Sequence, residues 1–248
     1  MNIIAIGGGE LGDNETFEID KIIVEETNKK NPSALFIPTA SGDAIGYWEI
    51  FNKIYGEKLG CKTDVLFLVN EQPPHKQIAA KINLADVIYI GGGNTQKMLN
   101  IWKEKGADNL LLNAANKDNK VVTGLSAGAM CWFKYGNSDS PMFDDSSTVK
   151  TIKLDCLNLI NASFCPHISS ETFRLNEFKN MMKYTEGKGI GLDDYSALHV
   201  KKDKYRILVS KMGEQENSQL HLIFYSNNQL YYKKLKPHLD FKPLYELI

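Results

Sequence analysis

The residues best suited to chemistry lie in Val121-Val122-Thr123-Gly124-Leu125-Ser126-Ala127-Gly128-Ala129-Met130. Gly124, Ser126 and Gly128 form a G-x-S-x-G pattern between an apolar, strand-like run and a helical stretch, Ala127–Phe133. A strand that turns sharply into a helix lifts a serine off the carboxyl edge of a sheet, and small neighbours let the backbone double back. In that setting Ser126 is a nucleophile, and the N–H of Ala127 faces the oxyanion formed when the serine attacks a carbonyl. The competing reading is an ordinary serine in a tight glycine turn.

A serine hydroxyl is a weak nucleophile until a base takes its proton. His167, in Phe164-Cys165-Pro166-His167-Ile168, follows a short apolar segment where a strand can end at the same edge, so it is the candidate base. The other histidines are poorer candidates: His75 follows Pro73-Pro74, His199 and His221 fall within late strands, and His238 is near the end of the chain. An acid must orient the imidazole. Asp139, Asp144 and Asp145 lie between Ser126 and His167 in a polar loop. The order Ser…Asp…His also occurs in α/β-hydrolases, but triads arise convergently and the order does not identify a fold.

Two more glycine segments follow strand-like runs. Gly91-Gly92-Gly93-Asn94-Thr95 stands between a strand and a helix, where its amides complete an oxyanion hole with Ala127 or, alternatively, hold a phosphate. Gly7, Gly9 and Gly12 match G-x-G-x-x-G, a weak dinucleotide signal. The acidic residue expected after the second strand is missing from Leu35-Phe36-Ile37-Pro38-Thr39.

The elements that must carry these residues alternate. Asn2–Ile6, Ala34–Ile37, Thr63–Leu68, Val87–Ile90 and Val121–Thr123 read as strands. Glu15–Lys30, Ala44–Leu59, Lys76–Asn83, Thr95–Trp102 and Asp108–Lys117 read as helices. That alternation implies a mostly parallel α/β sheet with helices on both faces, and strands without polar alternation are those buried on both sides. After residue 186 the pattern changes to short strands at Ile190–Leu192, Ala197–Val200, Tyr205–Val209, Leu220–Phe224 and Leu230–Leu235, with Asn227-Asn228 as a hairpin turn. These antiparallel strands extend the sheet or cap one edge. With no repeat or linker, one domain over residues 1–248 is expected.

Composition narrows the partners. The 248 residues are 43% hydrophobic and 24% charged, with a net charge of −1, so no long-range field draws nucleic acid. The four cysteines have no C-x-x-C spacing and form no Cys/His cluster for zinc, which points to a reducing compartment. The first residues have no basic n-region and no apolar run approaches ~20 residues. The expectation is a cytoplasmic protein that does not span a membrane.

Taken in order, Ile6-Gly7-Gly8-Gly9, Phe36-Ile37-Pro38-Thr39-Ala40, Ile90-Gly91-Gly92-Gly93-Asn94-Thr95, Gly124-Leu125-Ser126-Ala127-Gly128-Ala129, Cys165-Pro166-His167 and Gly189-Ile190-Gly191-Leu192-Asp193-Asp194 cover most of residues 1–200. As an ordered set they resemble the dipeptidase E and cyanophycinase family of serine peptidases. The resemblance implies a fold like that of class I glutamine amidotransferases, with Ser126 as nucleophile and His167 as base. The family's acid lies in a short loop before a proline, a position matched by Ser138-Asp139-Ser140-Pro141, so the resemblance implies Asp139. It also implies Gly92 and Gly93, followed by Asn94, as oxyanion and substrate-binding residues.

Members that cleave after an N-terminal aspartate place an arginine a little beyond the histidine. Here the stretch His167-Ile168-Ser169-Ser170-Glu171-Thr172-Phe173-Arg174 is shorter, and Phe173 falls beside that place. Arg174 either holds a substrate carboxylate from a shifted position or pairs with Glu171 at i, i+3. The implied activity is hydrolysis of short peptides near a free N-terminus, with aspartate as a candidate first residue, and without a metal or organic cofactor. The alternatives are an esterase or cyanophycin-type hydrolase, and a non-catalytic small-molecule binding module with a degenerate site. Oligomeric state is left open.

Overall fold

Apolar runs without polar alternation become strands buried on both faces. A computed structural model describes residues 1–117, 119–143 and 150–248. β1 (Asn2–Ile6), β2 (Ser33–Ile37), β3 (Lys62–Val65), β4 (Val87–Ile90) and β5 (Val121–Leu125) run parallel in the order β1-β5-β4-β2-β3. Between them lie α1 (Phe17–Glu25), α2 (Ile45–Phe51), which continues as π-helical turns over Asn52–Lys58, α3 (His75–Leu84), α4 (Thr95–Lys105) and α5 (Ala107–Ala115).

Successive strand side chains point to opposite faces. Ile4, Ile6, Phe36 and Tyr89 therefore enter a core with Ile19 and Ile23 of α1 and Phe51 of α2. Ile3, Ala5, Leu35 and Ile88 enter the opposite core with Ile78 of α3, Trp102 of α4 and Leu111 of α5. On the α1 side, the buried Asp20 carboxylate accepts from Tyr55 Oη at 2.7 Å and Thr16 Oγ1 at 2.8 Å.

The second half of the chain builds β6 (Phe133–Ser138), β7 (Ile152–Asp155), β8 (Ile160–Cys165), β9 (Gly189–Leu192), β10 (Ser196–Lys201), β11 (Lys204–Val209), β12 (Leu220–Ser226), β13 (Gln229–Leu235) and β14 (His238–Pro243). Antiparallel β10, β11 and β14 extend the first sheet from β1, giving eight strands in the order β14-β11-β10-β1-β5-β4-β2-β3. The remainder forms a six-stranded sheet, β13-β12-β9-β8-β6-β7, in which β6, β8 and β9 are parallel. The late strands thus divide between extending the first sheet and completing a second. The second sheet packs Phe133, Phe164, Ile190 and Leu220 into the same core as α3–α5.

Two short helices differ from or add to the sequence reading. The helix expected over Ala127–Phe133 ends early as α6 (Ala127–Met130), because Phe133 already begins β6 and pairs with Ile160. α7 (Arg174–Met182) covers the outer face of the second sheet, packing Phe178 and Met182 against Cys165 and Ile223. Among the described residues, no helix is long and apolar enough to cross a membrane.

Candidate active site

Ser126 stands between β5 and α6 with φ 55° and ψ −110°. A non-glycine residue held there stores strain of roughly 1–3 kcal/mol, so the surrounding structure must over-determine it. Its N–H donates to Ile6 O at 3.1 Å, and its carbonyl accepts from Ala129 and Met130 at 3.0 and 2.9 Å. The glycines on either side are needed for contact rather than flexibility. A Cβ on Gly124 would overlap Gly128 O, and one on Gly128 would overlap Ile90 O. The G-x-S-x-G spacing thus lets α6 fold back against β5 and β4.

His167 lies two residues beyond the end of β8, also at positive φ (56°). Its N–H donates to Gly7 O at 3.1 Å and the next amide, Ile168, donates to Leu192 O at 3.1 Å. The turn is thereby fastened to the ends of β1 and β9. The imidazole Nε2 lies 2.9 Å from Ser126 Oγ. Its Nδ1 lies 2.7 Å from Oδ1 of Asp194, whose side chain is 8% exposed. A carboxylate can only accept, so the ring proton sits on Nδ1 and Nε2 is left to accept from the Ser126 hydroxyl.

The Asp139 expectation is corrected by this geometry, since Asp194 rather than Asp139 contacts His167. Asp139 Oδ2 instead accepts from Arg174 Nη2 at 2.6 Å, and the flanking Ser138 and Ser140 hydroxyls bond each other at 2.8 Å. Asp144 and Asp145 lie outside the described residues. Asp194 is the residue the sequence reading left without a role. A signal was available, since an acidic pair directly follows the short apolar strand Gly189–Leu192, just as Ser126 and His167 follow theirs. Of that pair, Asp193 turns the other way, to His221 Nε2 at 2.9 Å.

Arg174 is likewise corrected as a candidate for substrate binding. It is 1% exposed, its Nε donates to Glu171 Oε2 at 2.7 Å, and it does not line the cavity over Ser126. The i, i+3 pair is the alternative that formed. A buried guanidinium needs carboxylate partners, and Asp139 and Glu171 supply them.

Gly92 follows β4 close to the nucleophile, where a Cβ on it would be 3.5 Å from Ser126 Cβ. The Gly92 N–H is 3.5 Å from Tyr47 Oη, a long contact that an incoming oxyanion could replace. Gly93 takes φ 134° and also lines the cavity. Ala127 opens α6, so its N–H is among those a helix start leaves without an intrahelical acceptor. Asn94 does not line the cavity. It caps α4, with Oδ1 accepting from Lys97 N at 2.9 Å.

Ser126, His167, Gly92 and Gly93 line a cavity of about 350 Å³ together with Gly9, Glu10, Leu11, Gly12, Tyr47, Ile50 and Leu125. Among the described residues, no cysteine lines the cavity. Burial pushes the thiols of Cys156 and Cys165 up to about 12, and that of Cys61 up to about 11. His199 is structural: it bonds Asn2 Oδ1 at 2.7 Å and accepts from Arg206 Nε at 3.0 Å, and burial lowers its pKa to about 3.

The chain is 34% identical over 215 residues to the uncharacterized peptidase YgaJ of Bacillus subtilis (strain 168), covering 85% of this chain and 88% of the relative. It is 34% identical over 167 residues to the uncharacterized peptidase Lin0382 of Listeria innocua, covering 65% and 76%. The crystal structure of a peptidase from an acI-B1 Actinobacterium superposes with a TM-score of 0.67 at 17% identity, covering 98% of this chain and 96% of the other. A structure from Listeria monocytogenes EGD-e, provisionally assigned to peptidase E, gives 0.62 at 22% identity, covering 85% and 98%. Both structures share the fold described above. The model of peptidase family S51 matches residues 3–208, and the chain belongs to that family of peptidases.

Proposed function

We propose that this chain hydrolyses short peptides near a free N-terminus through Ser126, His167 and Asp194. The observation that carries the reading is the continuous hydrogen-bonded line from Ser126 Oγ to His167 Nε2 (2.9 Å) and from His167 Nδ1 to Asp194 Oδ1 (2.7 Å). Ser126 Oγ attacks the peptide carbonyl while His167 Nε2 takes its proton. Asp194 holds the ring in the tautomer that can accept, and stabilises the imidazolium that results. The oxyanion is met by N–H groups of Ala127 and the Gly92–Gly93 turn. His167 returns the proton to the leaving amine, and water activated by the same nitrogen then releases the acyl group.

The preference for a chain end follows from the walls. The loop at Gly9–Gly12, with Ile50 packed close to Gly12, lines the cavity together with Tyr47. A volume of about 350 Å³ is near the lower end for ligand sites and does not suit the middle of a folded chain. Aspartate as first residue loses its support, because Arg174 pairs with Asp139 and Glu171 away from the cavity.

The test combines labelling with turnover. A fluorophosphonate should label the wild type at Ser126. Ser126→Ala should remove the label, keep the fold, and lower kcat by on the order of 10⁴-fold or more. Wild-type turnover in a folded Ser126→Ala variant would sink the mechanism. Rapid cleavage within longer peptides blocked at both ends would remove the preference for a chain end.

A further inference from the structure

Among the described residues, the cavity lining apart from Ser126 and His167 is glycine, aliphatic and aromatic with one exception, Glu10. No described lysine or arginine lines it. Glu10 belongs to the loop between β1 and α1, and its backbone is fully engaged there. Its N–H donates to Glu15 Oε2 at 2.7 Å, and its carbonyl accepts from the amides of Asp13 and Glu15, each at 3.3 Å. The Glu15 carboxylate thus closes the loop. The Glu10 carboxylate has no hydrogen bond or ion pair with any described residue. The residue is exposed, so its carboxylate is open to solvent at the cavity.

The Tyr47 hydroxyl in the cavity wall is pushed up to about 12, first by burial and further by the charges of Glu10 and Asp20. In a peptide attacked at its first carbonyl, the α-amine is only two covalent bonds from the carbon that Ser126 must reach. A substrate placed for attack therefore holds its amine within the cavity that Ser126 and Glu10 both line.

We propose that Glu10 receives a protonated amine of the substrate, so that the cavity selects peptides carrying a positive charge on the residue whose carbonyl is attacked. That charge is the free α-ammonium or a basic side chain, and the chemistry at Glu10 is the same for both. The proposal rests on Ser126 being the nucleophile. It also places aspartate among the poorest first residues, because its side chain adds a second carboxylate to a cavity without a cation.

The experiment measures kcat/KM for Ala-Leu, acetyl-Ala-Leu, acetyl-Lys-Leu and Asp-Leu in the wild type and in Glu10→Gln. An exposed ion pair contributes little and a desolvated one more, so an intermediate effect is expected. The ratio of Ala-Leu to acetyl-Ala-Leu should fall about tenfold in Glu10→Gln, equivalent to about 1.4 kcal/mol. If the side chain supplies the charge instead, the ratio of acetyl-Lys-Leu to acetyl-Ala-Leu falls. In the wild type, Asp-Leu should be cleaved more slowly than Ala-Leu. Neither ratio moving, or Asp-Leu being the better substrate, would overturn the role of Glu10. Fluorophosphonate labelling of the wild type separates the two failures: an unlabelled Ser126 overturns the nucleophile and the inference with it, whereas a labelled Ser126 with unmoved ratios overturns Glu10 alone.

Discussion

Replacing each of the two aspartates near His167 by asparagine separates a positioning carboxylate from a structural one. Asp194 Oδ1 is 2.7 Å from His167 Nδ1, a short bond of the charge-assisted kind. In Asp194→Asn the new amide could present its NH₂ to Nδ1, which would then have to accept. The ring proton would move to Nε2, which would then donate to Ser126 Oγ and could no longer accept the serine proton. The flank is closed to rearrangement, because even a methyl group on Gly8 would overlap Asp194 Oδ1. A wrong tautomer at such a site costs about 10⁴-fold in kcat, or roughly 5 kcal/mol. Asp194→Asn should therefore lose kcat on that order with little change in stability.

Asp139→Asn should do the reverse. Arg174, 1% exposed, would keep Glu171 but lose its second carboxylate, and the Asp139 side chain is itself 25% exposed. Removing one partner of a fully buried pair costs about 3–5 kcal/mol, so a partly exposed partner in a shared site costs about 1–2 kcal/mol. For a chain of this size that lowers Tm by about 3–6 °C. Its kcat should stay within about threefold of the wild type. The assay is peptide turnover normalised to fluorophosphonate-titrated sites, beside thermal unfolding. A folded Asp139→Asn protein with a loss of about 10³-fold, beside an Asp194→Asn protein near wild-type turnover, would refute the reasoning.

Two further outcomes follow from the same geometry. Gly8→Ala should lower turnover by on the order of 10²-fold or more, because the added Cβ would overlap Asp194 Oδ1 and approach His167 Nδ1 to 2.5 Å; Gly46→Ala, with nothing within 4 Å, is the silent control, and equal turnover in the two would show that the packing at Gly8 does not matter. Asp20, raised from 3.8 to about 7 first by burial, keeps its proton in the folded state across a pH range where the unfolded chain has lost it. The Asp20 contribution to stability therefore falls as pH rises from 3.8 to about 7, by on the order of 4 kcal/mol, and is constant on either side. Asp20→Asn should remove that slope, and parallel pH–stability curves for the two proteins would contradict it.

The first half of the fold was legible because burial on both faces leaves an unmistakable pattern. β1 and β4 coincide with the runs Asn2–Ile6 and Val87–Ile90, and the neighbouring helices differ only at their ends. The Asn227-Asn228 hairpin was legible for a local reason. Both residues take positive φ, 50° and 60°, which asparagine tolerates and a two-residue hairpin requires. The second sheet was legible only in part: β9, β12 and β13 fall on runs expected as strands, but β6 and β7 do not. β6 is Phe-Lys-Tyr-Gly-Asn-Ser and β7 is Ile-Lys-Leu-Asp, too short and too polar to stand out, and β6 begins where a helix was expected to continue. Without the whole sheet, nothing in the sequence showed which strand ends flank His167.

The choice between Asp194 and Asp139 turns on that sheet. β8 carries His167 just beyond its end and lies between β6 and β9, both parallel to it. Gly136 pairs with Phe164 on one side, and Cys165 pairs with Gly191 on the other. Continuing these registers puts Asp139 level with His167 on the β6 side and Asp193–Asp194 level with it on the β9 side. Strand spacing alone, about 4.8 Å, offers the histidine an acid on either hand. The direction of the turn breaks the tie. Its amides bond Gly7 O of the β1 loop and Leu192 O of β9, which carries the ring toward β1 and away from β6. Arg174 enters from α7 on the abandoned side and takes Asp139 into its own ion pair. The polar loop before Pro141 therefore matches a family position in sequence, while the left-handed turn at His167 directs the imidazole to the acid after β9.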